Sequence, residues 1–245
     1  MQGGSQQTLA GDIASAIAWW RDAGVDCAFT DEPNAWIAPP EPVVDTPADN
    51  PARPAAYAPP PPPPLPRIGG DSAGWPQELK AFRQWWLEEP SLDSAEAADR
   101  IVPRGAAGAS LMILVEQPDA LTQGPQARLL ASMLAAMGKS ADEVYLSAVF
   151  VRPTPVPDWA TLEKAGLGEL TRHHVHLAAP ERLIVFGGNI LPLLGHDPAQ
   201  SAQSLHAFNH EGRTIPLLAA HGLDALVRPN AKAAFWRRWL EWTGD

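Results

Sequence analysis

Four short stretches carry side chains that could do chemistry: Glu116-Gln117-Pro118-Asp119, Val151-Arg152-Pro153, Gly187-Gly188-Asn189, and the run from Ala220 through His221, Asp224 and Arg228 to Asn230. Glu116 and His221 stand out, because a carboxylate and a histidine are the groups that most often move protons near neutral pH. Each also has a structural reading, Glu116 as a cap or surface carboxylate and His221 as a hydrogen-bonded histidine. Three further histidines, His173, His174 and His176, crowd into one helical segment and are expected to face solvent. With Arg172 beside them and no third-ligand pattern nearby, they do not form a metal motif. The single cysteine, Cys27, can hold neither an iron–sulfur cluster nor a structural zinc. No glycine-rich dinucleotide fingerprint or phosphate loop follows any expected strand, which argues against a nucleotide-binding protein. No metal and no cofactor are expected.

The elements that must position these groups alternate as in a parallel α/β domain. Residues 110–116 (SLMILVE), 143–151 (EVYLSAVFV) and 182–187 (RLIVFG) are apolar runs suited to buried strands. Residues 126–137 form an amphipathic helix stopped by Gly138. Residues 158–178 are helical in pattern with a break near Gly166–Gly168, and residues 189–194 open a short helix. Residues 204–208 and 213–219 form either a hairpin closed by 209–212, or an edge strand followed by a fourth core strand. Residues 230–242 close the domain as a helix with Phe235, Trp239 and Trp242 inward and Arg237-Arg238 on its solvated face. The expected architecture is three-layered α/β, with a central parallel sheet of about four strands over residues 104–245. In such sheets ligands sit beyond the carboxyl ends of the strands, where all four chemical stretches fall.

Upstream the organisation changes. Residues 1–37 contain a helix over 9–24, with Leu9, Ile13, Ala16, Ile17 and Trp20 at helical spacing, Thr8 as its cap and Gly24 as its stop. Its paired tryptophans, Trp19 and Trp20, need a surface to dock on, either the chain's own domain or a protein partner. Residues 38–72 are a Pro/Ala-rich linker with a six-proline run, read as a semi-rigid spacer. Residues 73–103 lead in with a helix over 75–87, Pro76 in its first turn, and a short helix over 92–100.

The formal charge of −10 is unevenly spread. Residues 104–245 hold 13 acidic and 12 basic side chains, so the acidity belongs to the first 103 residues and the domain still admits a nucleic-acid partner. No run of about 18 uncharged apolar residues predicts a membrane span, and the opening residues lack the pattern of a secretory leader. A reducing cytoplasm is the expected location.

The order of motifs resembles that of the uracil-DNA glycosylase superfamily, particularly its family 4 and divergent bacterial relatives, over residues 110–239. Val115-Glu116-Gln117-Pro118-Asp119 stands where that family has Gly-Glu-Ala-Pro-Gly. Glu143-Val144-Tyr145-Leu146 matches its Val-Tyr strand, residues 179–188 (APERLIVFGG) its proline and Gly-Gly strand, and residues 221–228 (HGLDALVR) its final His-Pro-Ala-x-Leu-Leu-Arg motif. The resemblance implies an α/β fold that flips a base from DNA and reads its edge. It implies Glu116 as the carboxylate orienting water and His221 as the donor stabilising charge on the departing base. It implies Gln117, Pro118, Ala148, Gly188, Asn189, Arg228 and Lys232 as positions that meet base or DNA, single- or double-stranded.

The departures are equally specific. The family's cluster cysteines are absent. Residues 121–127 (LTQGPQA) lack the aromatic that stacks on the flipped base. Ala148 stands where the family's base-reading asparagine would be, and Gly222 replaces the proline after the histidine. Two functions remain: a divergent DNA-repair protein that hydrolyses the glycosidic bond of a damaged base, or an inactive glycosylase-fold subunit that binds a partner in a replication or repair complex. An accessory subunit of bacterial clamp-loader assemblies resembles this fold without being an enzyme.

Overall fold

The computed structural model describes residues 9–24, 65–93, 99–197 and 205–244. The chain divides into two compact units, Met1–Pro60 and Pro61–Asp245. In the first, helix α1 (Leu9–Asp22) ends at Ala23 and Gly24, whose φ of +80° suits a residue without a Cβ. Leu9, Ile13, Ile17 and Trp20 follow one another along it and are exposed, and the Trp19 and Trp20 rings meet edge to face at 5.0 Å. The capping role expected of Thr8, Cys27 and the linker expected over 38–72, as far as residue 64, lie outside the described residues.

The second unit is a three-layer α/β structure. Four strands, β1 (Met112–Val115), β2 (Tyr145–Ala148), β3 (Leu183–Phe186) and β5 (Arg213–Ala220), run parallel, and β4 (Leu205–His210) pairs antiparallel with β5 at one edge. The sheet order is β2-β1-β3-β5-β4. Both expectations for the last two strands therefore hold: β4 and β5 form a hairpin, and β5 is a core strand.

Strand alternation divides the core in two. Ile113, Val115, Leu146, Ile184, Phe186 and Leu218 face helices α3 (Gly124–Ala136) and α7 (Pro229–Thr243). Met112, Leu114, Tyr145, Leu183, Val185 and Leu217 face helices α5 (Leu167–Ala178) and α6 (Ile190–Leu193). A strand buried on both sides needs apolar residues at every position, which is why β1 reads MILV and β3 LIVF. The expected helical break is real: α4 (Trp159–Lys164) and α5 are separated at Gly166, whose φ is +99°. On α7, Phe235 and Trp239 are buried, while Trp242 is only partly covered and lies beneath the Arg182 guanidinium, 5.3 Å from its ring centre.

Three expectations are corrected upstream and on α5. The helix expected from Trp75 starts at Leu79, as α2 (Leu79–Glu88). Trp75 is held outside it because its indole N–H donates to the Gly69 carbonyl at 2.7 Å and its ring is buried; this tertiary contact outweighs the helical pattern. His173 and His174 do not face solvent. They are 8 % and 2 % exposed and form the seat on which Phe82 and Trp86 of α2 pack, with the His174 ring 4.7 and 5.3 Å from theirs. The lead-in is thus part of the domain's core. Residues 67–72, placed in the linker by composition, also dock, since the Ile68 N–H donates to the Ala165 carbonyl at 2.8 Å.

Arg100 fixes the far end of α2. Almost fully buried, its guanidinium donates to the carbonyls of Trp86 and Glu89 at 3.0 and 2.9 Å, acceptors that the helix terminus leaves open, and to that of Asp93 in the following loop at 2.7 Å. The helix expected over 92–100 falls mostly on residues 94–98, outside the described residues. No described helix is long and apolar enough to cross a membrane.

Candidate functional site

The sheet order creates one place where strand connections diverge. From β1 the chain crosses through α3 to β2 on one side, then through α4 and α5 to β3 on the other. Between the carboxyl ends of β1 and β3 the loops part and leave a crevice, the usual ligand position in an open α/β sheet. The register aligns Val115, Phe186 and Ala220, so Glu116, Gly187 and His221 are the first residues beyond one row.

Glu116 is held in that crevice. Its Oε1 accepts the Asn189 backbone N–H at 3.1 Å and the Asn189 side-chain amide at 3.0 Å. Gly187 makes room for it: a Cβ there would lie 2.4 Å from Glu116 Oε1, and the residue's φ of +137° is glycine territory. The cleft is small, with a volume of about 70 Å³. Its polar lining comes from Glu116, Gln117, Gln126 and Asp224; Ala120, Phe186 and Leu223 supply apolar walls. Asp224 lies over Gly222, where a Cβ would come within 2.5 Å of its Oδ1. Gln126 and Asp224 were not singled out as site residues by sequence. Gly222, read from sequence only as a departure from the family's proline, is the one local signal that could have found Asp224, since it makes room for that carboxylate as Gly187 does for Glu116.

The other candidate residues are dispersed. His221 is exposed and lies at the same sheet edge as Glu116, two strands away, about 9–10 Å between backbones at ordinary strand spacing. It lines a different, shallow depression beneath α7 with Leu226, Phe235 and Arg238. Gln117 borders the cleft, yet its amide is engaged: it donates to the Thr154 carbonyl and accepts the Thr154 N–H, both at 2.9 Å, tying the β1 loop to the loop after β2. Pro118 is buried in the single 3-10 turn Pro118–Leu121. Ala148, 4 % exposed, ends β2 within the α3-side core and presents no polar group. Gly188, Asn189 and Arg228 are exposed and Lys232 is half-buried. Arg228 immediately precedes α7 and Lys232 lies in its first turn.

Among the described residues no group of three histidine, cysteine, aspartate or glutamate side chains could hold a metal ion. Polar donors and acceptors at the crevice can orient a small ligand or a partner's side chain. Proton relay between Glu116 and His221 would have to span two separate depressions. The chain matches no protein-family model and no curated protein sequence.

Proposed function

We propose that the chain is a catalytically inactive uracil-DNA glycosylase-like protein, acting in the cytoplasm as a partner-binding subunit of a replication or repair complex. The observation that carries this reading is the separation of the two would-be catalytic groups: Glu116 lines the β1–β3 cleft and His221 the depression beneath α7. Excision needs both on one base, the carboxylate at the sugar and the donor at the departing ring. Two further features support it. The buried methyl of Ala148 offers no hydrogen bond to a base edge, and the Gln117 amide is spent on Thr154. The partner-binding half rests on α1, whose Leu9, Ile13, Ile17 and Trp20 suit a helix-in-groove contact, tethered by a proline-rich spacer.

A second reading, residual excision of a damaged base, is favoured by Glu116 alone, seated at the strand switch point in an open cleft. Base release from uracil-containing single- and double-stranded DNA decides between them. The inactive reading expects no release above that of the Glu116→Gln and His221→Ala variants. Release by the wild-type chain that falls in both variants would establish the second reading. For the partner, deletion of residues 1–37 should leave the thermal midpoint unchanged and abolish co-purification with replication or repair proteins. A lowered midpoint would instead mean that α1 docks on its own domain.

A further inference from the structure

The two edges of the sheet are finished differently. Beside β2, Arg104 exchanges backbone hydrogen bonds with Leu146 at 2.7 and 3.0 Å, Ile101 donates to the Val151 carbonyl at 2.8 Å, and Pro103 sits between them. That edge is covered. Beyond β4 no described backbone follows, and the sheet order ends there.

The β4–β5 turn tells which groups β4 turns outward. Glu211 and Gly212 have φ values of +47° and +75°, both positive, as a two-residue type I′ hairpin requires. In such a hairpin the closing pair, His210 and Arg213, is hydrogen-bonded, and bonded pairs alternate along the ladder. Phe208–Ile215 and His206–Leu217 are then the next bonded pairs. Pro216, which has no N–H to give, falls opposite Ala207 at a position that asks for none. Leu205, Ala207 and Asn209 therefore direct their N–H and C=O groups away from β5. Their side chains are all exposed, Leu205 at 47 %, whereas Phe208 on the other face is buried.

We propose that this edge pairs with β4 of a second copy of the chain, antiparallel about a two-fold axis at Ala207, joining two sheets into one of ten strands. The three outward residues are symmetric about Ala207, so the edge is complementary to itself: Leu205 meets the other copy's Asn209, Ala207 meets Ala207, and six N–H···O bonds result. Charge does not oppose it. The strand, LHAFNH, has no acidic or basic residue other than its histidines. Residues 104–245 balance at 13 acidic against 12 basic side chains, so the bodies that meet are nearly neutral although the chain is not. The strand also lacks the lysine, proline or bulge by which edges usually prevent such pairing.

Sedimentation of the full chain over a rising concentration series tests this, together with Ala207→Pro. Proline there removes only an outward N–H, leaves the β5 ladder whole and blocks the centre of the paired edge. The wild type should sediment as a dimer and the variant as a monomer with an unchanged circular-dichroism spectrum. If the proline variant fails to fold, Asn209→Lys, which replaces an exposed side chain at the loss of one exposed bond from the Thr214 hydroxyl and sets a charge at each end of the joint, is expected to shift the same equilibrium to monomer. A wild-type monomer at every concentration, or a dimer that persists in the folded variants, overturns the proposal.

Discussion

Acidification should destabilise this protein well above the pH at which its carboxylates protonate, because His174 is buried as a neutral ring. It lies between β2 and α2. Tyr145 Oη is 2.8 Å from its Nε2 and Ser147 Oγ 3.4 Å from its Nδ1. The Ser147 hydroxyl donates to the Ala148 carbonyl at 3.3 Å, so Nδ1 carries the proton and Nε2 accepts from the tyrosine. Burial pushes the His174 pKa down to about 3, with the Arg83 guanidinium and His173 adding to the effect. The unfolded chain binds its proton below about pH 6.5, and the folded chain refuses it until about pH 3. Stability from this group is complete above pH 6.5 and is lost as pH falls through that window, at about 1.4 kcal/mol per pH unit. By pH 4.5 the loss is on the order of 2–3 kcal/mol for this one ring. The region between pH 7 and 5 isolates it best, since the carboxylates with lowered pKa, Glu89, Glu143 and Asp158, contribute only at lower pH. His210, also held below its ordinary value mainly by desolvation, contributes in the same direction in any variant. The measurement is urea unfolding at pH 7, 6 and 5 for the wild type and for His174→Gln, which fills similar space and cannot titrate. The variant should be less stable at pH 7 and lose less stability on acidification. Equal slopes for the two proteins would refute the argument.

Two further changes test the packing. Arg100→Ala removes three charge-assisted bonds, one to a buried and two to partly buried carbonyls, and should cost about 2–4 kcal/mol in chemical denaturation; Arg100→Lys, with one donor head for three acceptors, should recover only part. Val156→Gly should do the reverse of most valine truncations. Val156 is 98 % exposed with a φ of +46°, so glycine relieves left-handed strain of about 1–2 kcal/mol, offset by about 0.5–1 kcal/mol of backbone entropy. A thermal midpoint at or above that of the wild type is expected, and a marked fall would show that the side chain is packed in solution.

The fold was legible wherever burial alone decided it. β1 and β3 are each four apolar residues enclosed on both faces, and such runs permit few readings once helical patterns flank them. The break at Gly166 and the stop at Gly138 were legible because a positive φ selects glycine for a backbone reason that needs no tertiary knowledge. The start of α2 and the burial of His173 and His174 were not. Nothing local distinguishes a histidine facing water from one whose Nε2–H donates to the Pro76 carbonyl at 2.8 Å, 97 residues away in sequence. The exposed reading of HHVH followed from polarity, and it failed because α2 covers that side of α5 with Phe82 and Trp86.

The site divides along the same line. Topology alone places Glu116 and His221 at one sheet edge, since both follow parallel strands in register. What topology does not specify is which depression each side chain enters, and that is set by loops of irregular backbone. After β1, the turn Pro118–Leu121 and the Gln117–Thr154 pair direct the chain toward α3. After β5, Gly222 and Asp224 carry it toward α7 and leave His221 against that helix. The glycines seating Glu116 and Asp224 bear on this directly. A side chain at Gly187 would strike Glu116, and one at Gly222 would strike Asp224, so the cleft is shaped around two carboxylates with the histidine outside it. A ligand suited to that lining is one that offers hydrogen-bond donors or positive charge, as a basic side chain of a protein partner does. That chemistry accords with a scaffold holding a partner better than with one expelling an anionic base.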